Sequence, residues 1–374
     1  MKTNILKNKF NDYWRDIDKN ILLSFIILFL LGLFFSFAST SSLAGERFEK
    51  DYYFFFTKHL VFVIFSLFIM FFISALDLNF LNKFVLPAFI ILYFCLILVH
   101  LIGIEVKGSK RWLNLYLFRF QPIEFMKPFF ILITAKILTS ENFKSLKVSY
   151  FLSFLVLLSI LILLVNQPDI GQSVLLFACW MAIIFISGVN IFYILSFFAA
   201  SILSLTALLI TFPDKFGYIT NRLTSFLDPS KGDSFQSQRA LDAIRQGGLK
   251  GQGMGEGILK DNVPEAHTDY IIAVITEEFG SIISIFLIFI FLYISFRIIK
   301  KTISELDKNL RVALCGLASL LIFQAFIHIG VNTSLLPTTG MTLPFLSYGG
   351  SSLFGSSILA GLILNYTKNR VIHE

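Results

Sequence analysis

Residues 263–280 read VPEAHTDYIIAVITEEFG: the polar run Pro264-Glu265-Ala266-His267-Thr268-Asp269 ends a long hydrophilic stretch and opens into the apolar run starting Tyr270-Ile271-Ile272. Such a junction puts the Asp269 carboxylate where water meets hydrocarbon. A charge inside hydrocarbon is costly, so an acid at that boundary faces water or has a partner, and it is a functional candidate by default. A plain helix N-cap is the competing reading of Asp269 from these residues alone.

Working outward, the 374 residues are 56% hydrophobic and 15% charged, with mean hydropathy +0.77. An ordinary soluble globule is roughly 45–50% apolar, so the solvent of this chain is a bilayer. Apolar runs of about 20 residues predict ten spans: 21–41, 53–76, 79–102, 122–138, 149–166, 172–188, 191–212, 270–296, 309–333 and 343–366. The expected fold is an all-α integral membrane protein in one polytopic domain, 1–374. Its expected tails are 1–20 and 367–374, and its one large loop, 213–269, lies between the seventh and eighth helices.

Loop Lys and Arg residues orient such a chain. Lys2, Lys7, Lys9, Arg15 and Lys19 precede the first span, Lys136, Lys144 and Lys147 flank the fourth, and Arg297, Lys300, Lys301, Lys308 and Arg311 join the eighth to the ninth. With ten spans all of these fall on one side, so both termini are expected in the cytoplasm, with 103–121 and 213–269 outside. The net charge of +7 is thus a topology signal, not a sign of nucleic-acid binding. The first span is too long for a signal-peptide core, and more spans follow. Cys95, Cys179 and Cys315 all lie inside spans and lack paired spacing for metal or redox work.

Polarity against its environment marks three places. Residues 105–127, EVKGSKRWLNLYLFRFQPIEFMK, carry Lys107, Lys110, Arg111, Arg119 and Lys127 on the outer side, where basic residues are out of place unless they meet an anion. Arg111 beside Trp112 offers a planar fork for phosphate oxygens. Pro122 fits the first turn of a helix in which Glu124 and Lys127 share a face. They pair with each other or line a polar cavity. The second place is Asn166-Gln167-Pro168-Asp169, where Asp169 reads as cap or site. The third is 213–269: residues 237–245 read as an amphipathic helix lying on the membrane, and GGLKGQGMGEG (247–257) as backbone held close to the bilayer or a substrate. Glu277 and Glu278 are expected to pair with Lys136, Lys127 or backbone donors. Pro337, Gly340, Pro344, Gly349 and Gly350 break the last apolar segment, as broken helices lining a cavity do. His328 reads as a hydrogen-bonded packing residue.

With these residues assembled, the chain resembles the SEDS family (shape, elongation, division and sporulation). Four blocks carry the likeness: KGSKRWLNL with RFQPIEFMK (107–127), NQPDIGQS (166–173), GGLKGQGMGEG with VPEAHTDYIIAVITEEFG (247–280), and LPTTGMTLPFLSYGGSS (336–352). PEAHTD and QPIEFMKP lean toward the division branch, although Thr339 stands where that branch usually has Lys. The resemblance implies a ten-helix fold and a peptidoglycan glycosyltransferase that polymerises lipid II. It also implies a class B penicillin-binding protein and other divisome proteins as partners, in the bacterial cytoplasmic membrane at the septum. By motif, Asp269 is the matching essential carboxylate, and Arg111, Trp112, Arg119, Glu124 and Lys127 match the polar set. Lys107, Lys110, Gln121, Glu265, His267, Thr268 and Ser347 complete the candidate substrate-binding residues.

The chemistry agrees with that inventory. A pyrophosphate leaves without protonation and needs its charge neutralised, so one carboxylate with several cations is expected where a glycosidase would need two acids. Asp269 is the expected general base on the acceptor's 4-hydroxyl, and Arg111, Arg119 and Lys127 the groups that hold pyrophosphate oxygens. No dedicated metal cage is visible in the sequence, and a divalent cation, Mg or Mn, on Asp269 or the diphosphate stays optional. A lipid II flippase, or an elongation-branch polymerase, are the alternative functions.

Overall fold

The computed structural model describes residues 11–39, 54–106, 108–115, 119–141, 146–228 and 235–369. Its helices are α1 (Lys19–Ser39), α2 (Phe54–Ala75), α3 (Leu78–Ile102), α4 (Pro122–Thr139), α5 (Leu146–Asn166), α6 (Ile170–Ile186), α7 (Ile191–Thr211), α8 (Pro213–Leu227), α9 (Phe235–Gly247), α10 (Ile271–Phe279), α11 (Ser281–Ile303), α12 (Lys308–Asn332) and α13 (Gly350–Tyr366). Among the described residues seven of these, α1, α2, α3, α5, α7, α11 and α12, are long and apolar enough to cross a membrane. The ten-span reading adds α4, which carries Glu124, Lys127 and Lys136, and the 17-residue α6 and α13. The protein is an all-α, multi-pass membrane protein. Large apolar side chains such as Phe68, Phe192, Leu203 and Phe289 are more than 60% exposed on its outside, as a bilayer-facing surface requires.

The core of the bundle is α4, α12 and α13. α4 packs against α3, α12 and α13, and α12 against α6 and α11. Phe130, Ile131, Leu317, Leu321, Leu362 and Ile363 are buried there. One end of the bundle is fastened by the Arg297–Asp18 ion pair (2.7 Å) and by Lys301 Nζ donating to Asn369 Oδ1 (2.8 Å). Asn369 N also donates to Asp16 O (2.8 Å). The 25 residues of α12, about 37 Å at the usual rise, separate that end from Asn332 and the segments described below.

Three expectations about the elements change. The predicted span 270–296 is two helices, because Gly280, at φ 83° and ψ 165°, breaks the chain in a conformation that side chains disfavour. α10 is therefore a nine-residue half-helix. The predicted span 343–366 becomes helical only at Gly350, and the preceding 333–349 is irregular. The loop 213–269 holds, as α9, the helix read over 237–245, together with α8 and a 3-10 turn (Leu259–Asn262). Finally, the basic segment after α3 is a small antiparallel sheet, β1 (Ile104–Val106), β2 (Ser109–Asn114) and β3 (Arg119–Phe120), in the order β1-β2-β3. Strand alternation turns Arg111 and the buried Leu113 inward and leaves Lys110 exposed.

The glycine-rich stretch packs on α10. A Cβ at Gly247 would sit 2.0 Å from Thr276 O, and one at Gly251 2.2 Å from Glu278 O. Gln252 N and Gly253 N donate to the carbonyls of Glu277 (2.8 Å) and Glu278 (3.0 Å), satisfying the open end of the half-helix. α9 likewise packs on α10 through Ala240 and Ala243, both fully buried. Glu277 accepts from the N–H groups of Leu259 and Lys260, each at 2.7 Å, and Glu278 pairs with Lys260 Nζ. The partner is Lys260, not Lys136 or Lys127, and the backbone donors are as expected.

Candidate active site

Asp269 sits on the turn that enters α10. Glu265, at φ 56°, closes this turn: its carbonyl accepts from the N–H groups of Thr268 (3.1 Å), Asp269 (3.1 Å) and Tyr270 (3.3 Å). Thr268 Oγ1 donates to Glu265 Oε2 at 3.1 Å. Two bonds tie the turn to the broken segment, and a third steadies Ser347 within that segment. Ser347 Oγ donates to Thr268 O (2.6 Å) and accepts from Leu343 N (2.8 Å), while Tyr348 N donates to His267 O (2.9 Å). From α12, the fully buried Asn332 donates to Asp269 O (2.9 Å) and accepts from Ala273 N (3.2 Å). The N-cap of α10 is Tyr270, so Asp269 does not occupy the capping position. It lies just beyond the positive end of the helix dipole, which complements a negative charge.

Gly340 brings Asp269 and Arg111 together. A Cβ at this residue would meet Asp269 Oδ2 at 3.4 Å and Arg111 Nη1 at 3.9 Å. Its φ of 67° is a left-handed conformation suited to glycine. Arg111 is held from behind: Nε donates to Gln167 O (3.3 Å), Nη2 to Pro168 O, and Nε lies 3.8 Å from Asp169 Oδ2. Asp169 thus braces Arg111 and also caps α6, its Oδ1 accepting from Gln172 N (3.4 Å). Gly171 packs against Thr339 and Met341, setting the start of α6 directly under the Gly340 turn.

Behind this layer Glu124 and Lys127 are 4% and 3% exposed and close on each other. Lys127 Nζ donates to Glu124 Oε2 (2.8 Å) and Gln324 Oε1 (3.0 Å), and Gln172 Nε2 donates to Glu124 Oε1 (2.6 Å). Gln324 Nε2 in turn donates to Thr342 O (3.1 Å). The structure thus places the pair inside a polar network joining α4, α6, α12 and the broken segment, with Gln172 Oε1 buried and without a hydrogen-bond partner among the described residues. A buried pair whose two charges are hydrogen-bonded to each other and to neutral polar side chains is a form in which such charges are tolerated. His328, as read, is a packing residue, bonded through Nδ1 to Met341 O (2.7 Å).

The other candidates divide. Trp112 is half-buried in β2, Lys110 and Arg119 are exposed, and Gln121 is half-buried at the start of α4. Arg119 and Gln121 bond through their backbone to Ser351 Oγ, at 2.9 and 3.1 Å. Lys107 lies outside the described residues. His267 Nδ1 is buried without a hydrogen-bond partner among the described residues, and its ring lies 6.2 Å from that of Phe55. Burial pushes the imidazole below its ordinary pKa, against the pull of Glu265. Among the described residues no three His, Cys, Asp or Glu side chains gather to form a metal cage.

One cation escaped the sequence reading. Arg222 of α8 donates through Nη1 to Thr338 O at 3.2 Å, two residues from Gly340. It was hidden in what read as loop, although Pro213 at the first helical position and Asp214 in the first turn are helix-start signals.

The chain has relatives over nearly its whole length. The chain is 33% identical over 362 residues to the probable peptidoglycan glycosyltransferase FtsW of Caulobacter vibrioides, covering 96% of this chain and 91% of that protein. It is 31% identical to stage V sporulation protein E of Bacillus subtilis, over 93% of this chain and 97% of that one. A solved chain from work on polymerization and crosslinking by a peptidoglycan synthase complex superposes with TM-score 0.78 at 25% identity, covering 94% and 97%. The rod shape determining protein RodA of Thermus thermophilus shares the fold, with TM-score 0.68 at 23% identity and coverage of 94% and 96%. Residues 18–371 match the cell cycle protein family of FtsW, RodA and SpoVE, to which this chain belongs.

Proposed function

We propose that the protein is a peptidoglycan glycosyltransferase of cell division that polymerises lipid II, with Asp269 as general base. The observation that carries this reading is the meeting of Asp269 and Arg111 over Gly340, in a chain whose relatives are named for that activity. Asp269 takes the proton of the acceptor's 4-hydroxyl as that oxygen attacks the donor's anomeric carbon, and the configuration there inverts. Arg111, fixed by Gln167, Pro168 and Asp169, faces the departing diphosphate without reorganising, which is what makes a cation effective at a developing charge. Lys127 is already spent on Glu124 and Gln324, so its part is to stiffen the wall behind the site. Mg or Mn, where bound, would take Asp269 and diphosphate oxygens.

The positive-inside bias supports both termini in the cytoplasm of a bacterial cell, with the Asp269 end of the bundle outside. The synthase-complex neighbour supports a class B penicillin-binding protein as partner, within a septal assembly that includes other divisome proteins. The test is glycan polymerisation from lipid II by purified protein with and without the cognate penicillin-binding protein. Asp269→Asn should abolish product while leaving the thermal midpoint unchanged. A variant that still elongates glycan refutes the base assignment. Wild type that moves labelled lipid II across vesicles, with the variant moving it equally, makes the protein a flippase.

A further inference from the structure

Two guanidinium groups reach the same short turn from opposite parts of the chain. Arg111 comes from β2 and lies against Gly340, and Arg222 comes from α8 and bonds to Thr338 O. α8 is itself anchored, because Tyr218 OH donates to Val165 O of α5 at 3.0 Å. Arg222 is thus presented by a fixed helix. Its partners differ from those of Arg111. Arg111 has Asp169 at 3.8 Å, whereas among the described residues no carboxylate lies within 4.0 Å of Arg222, and the bond to Thr338 occupies one of five guanidinium donors.

Burial first, and then the Arg111 guanidinium, hold Arg222 below the ordinary arginine pKa, against the pull of Asp169. Two like charges converging on a half-buried site oppose each other until an anion joins them. We propose that Arg111 and Arg222 form a two-arginine clamp for the diphosphate of the lipid-linked donor, Arg222 supplying a charge with no described carboxylate at ion-pair distance.

This rests on the glycosyltransferase reading and completes it. During transfer the acceptor oxygen bonds to the anomeric carbon, its proton goes to Asp269, and the carbon–oxygen bond to phosphate breaks with its electron pair. The diphosphate gains one negative charge in that step. A planar guanidinium presents paired donors to phosphate oxygens, and a second one lets both phosphates be held at once.

The experiment uses the full-length protein in detergent with two probes, a polyprenyl diphosphate and the monophosphate of the same chain length, each competing with a fluorescent donor lipid. Wild type should prefer the diphosphate. Arg222→Gln should weaken diphosphate binding roughly 10- to 100-fold, the scale of a hydrogen bond to a charged group, with a far smaller effect on the monophosphate. Arg222→Lys, which keeps the charge, should recover most of the preference. The clamp is overturned if Arg222→Gln binds both lipids as wild type does, or loses both equally, as displacement of α8 would cause. The two failures separate cleanly. Wild type that polymerises lipid II beside an Arg222→Gln variant with unchanged donor KM removes only the clamp, whereas wild type that makes no glycan removes the glycosyltransferase reading and the clamp with it.

Discussion

Asn332 is where the positioning of Asp269 is most exposed to test. Its side chain is fully buried and makes three bonds: to Asp269 O (2.9 Å), to His328 O (2.8 Å) and from Ala273 N (3.2 Å). Ala273 N also reaches Tyr270 O at 3.0 Å, so Asn332→Ala strands chiefly the Asp269 carbonyl. An unsatisfied buried acceptor costs about 1–3 kcal/mol, and each other bond lost adds about 1 kcal/mol. The kinetic cost is separate: displacement of a reacting group by about 1 Å costs on the order of 100-fold in rate. Asn332→Asp is the discriminating partner, since it still accepts from Ala273 N but sets an oxygen against the Asp269 carbonyl. Initial rates of glycan polymerisation and thermal midpoints should be measured on the same preparations. Both variants should lose rate, with Asn332→Asp at least as slow as Asn332→Ala. A destabilised Asn332→Ala with wild-type kcat would show that Asn332 braces the bundle without positioning Asp269, and a variant unchanged in both measurements would refute the geometry.

Gly340→Ala fits sterically at 3.4 Å from Asp269 Oδ2 but forces a side chain into the left-handed region, at a cost of about 1–3 kcal/mol. It also inserts a methyl group between base and arginine. The expected result is a small fall in thermal midpoint with a much larger fall in kcat, and equal losses in folding and rate would count against a site at Gly340. Lys260→Met leaves the Glu278 carboxylate buried and unpaired, which should destabilise by about 3–5 kcal/mol. Adding Glu278→Gln should recover most of it in thermal unfolding. A Lys260→Met protein as stable as wild type would mean the pair does not hold the half-helix.

The membrane class and most spans were legible because a bilayer demands about 20 consecutive apolar residues, and α1, α3, α5 and α12 supply them without interruption. The break at Gly280 was not, because apolar residues run through both sides of it and a single glycine is common in membrane helices. What stops the helix there is the Leu249 carbonyl, which a Cβ at 280 would meet at 2.2 Å, a contact made 31 residues away along the chain. Asp269 and Arg111 could be picked out singly, as charges in the wrong solvent, but their meeting depends on Gly340 and the Asp169 brace, which only tertiary packing supplies. Lys127 shows how far a local pattern reaches: its pairing with Glu124 three residues away is readable from one face of α4, whereas its bond to Gln324 of α12 depends on a convergence that no local pattern encodes. Arg222 was passed over because a segment flanked by polar residues reads as loop when its own capping signals are not weighed.

The half-helix α10 has a consequence for how the protein meets different membranes. Nine residues rise about 13 Å, less than half of a hydrocarbon core of about 30 Å. The ends of α10 are fastened by Asn332 and by the glycine-rich strap, not by lipid. A thicker or thinner bilayer tilts or shifts helices that lipid grips directly, such as the outward-facing α7 and α11. Gly280 separates α10 from that adjustment, so the depth of Asp269 is referenced to α12 and the outer segment. A base mounted in this way keeps its height relative to Arg111 while the surrounding membrane changes composition.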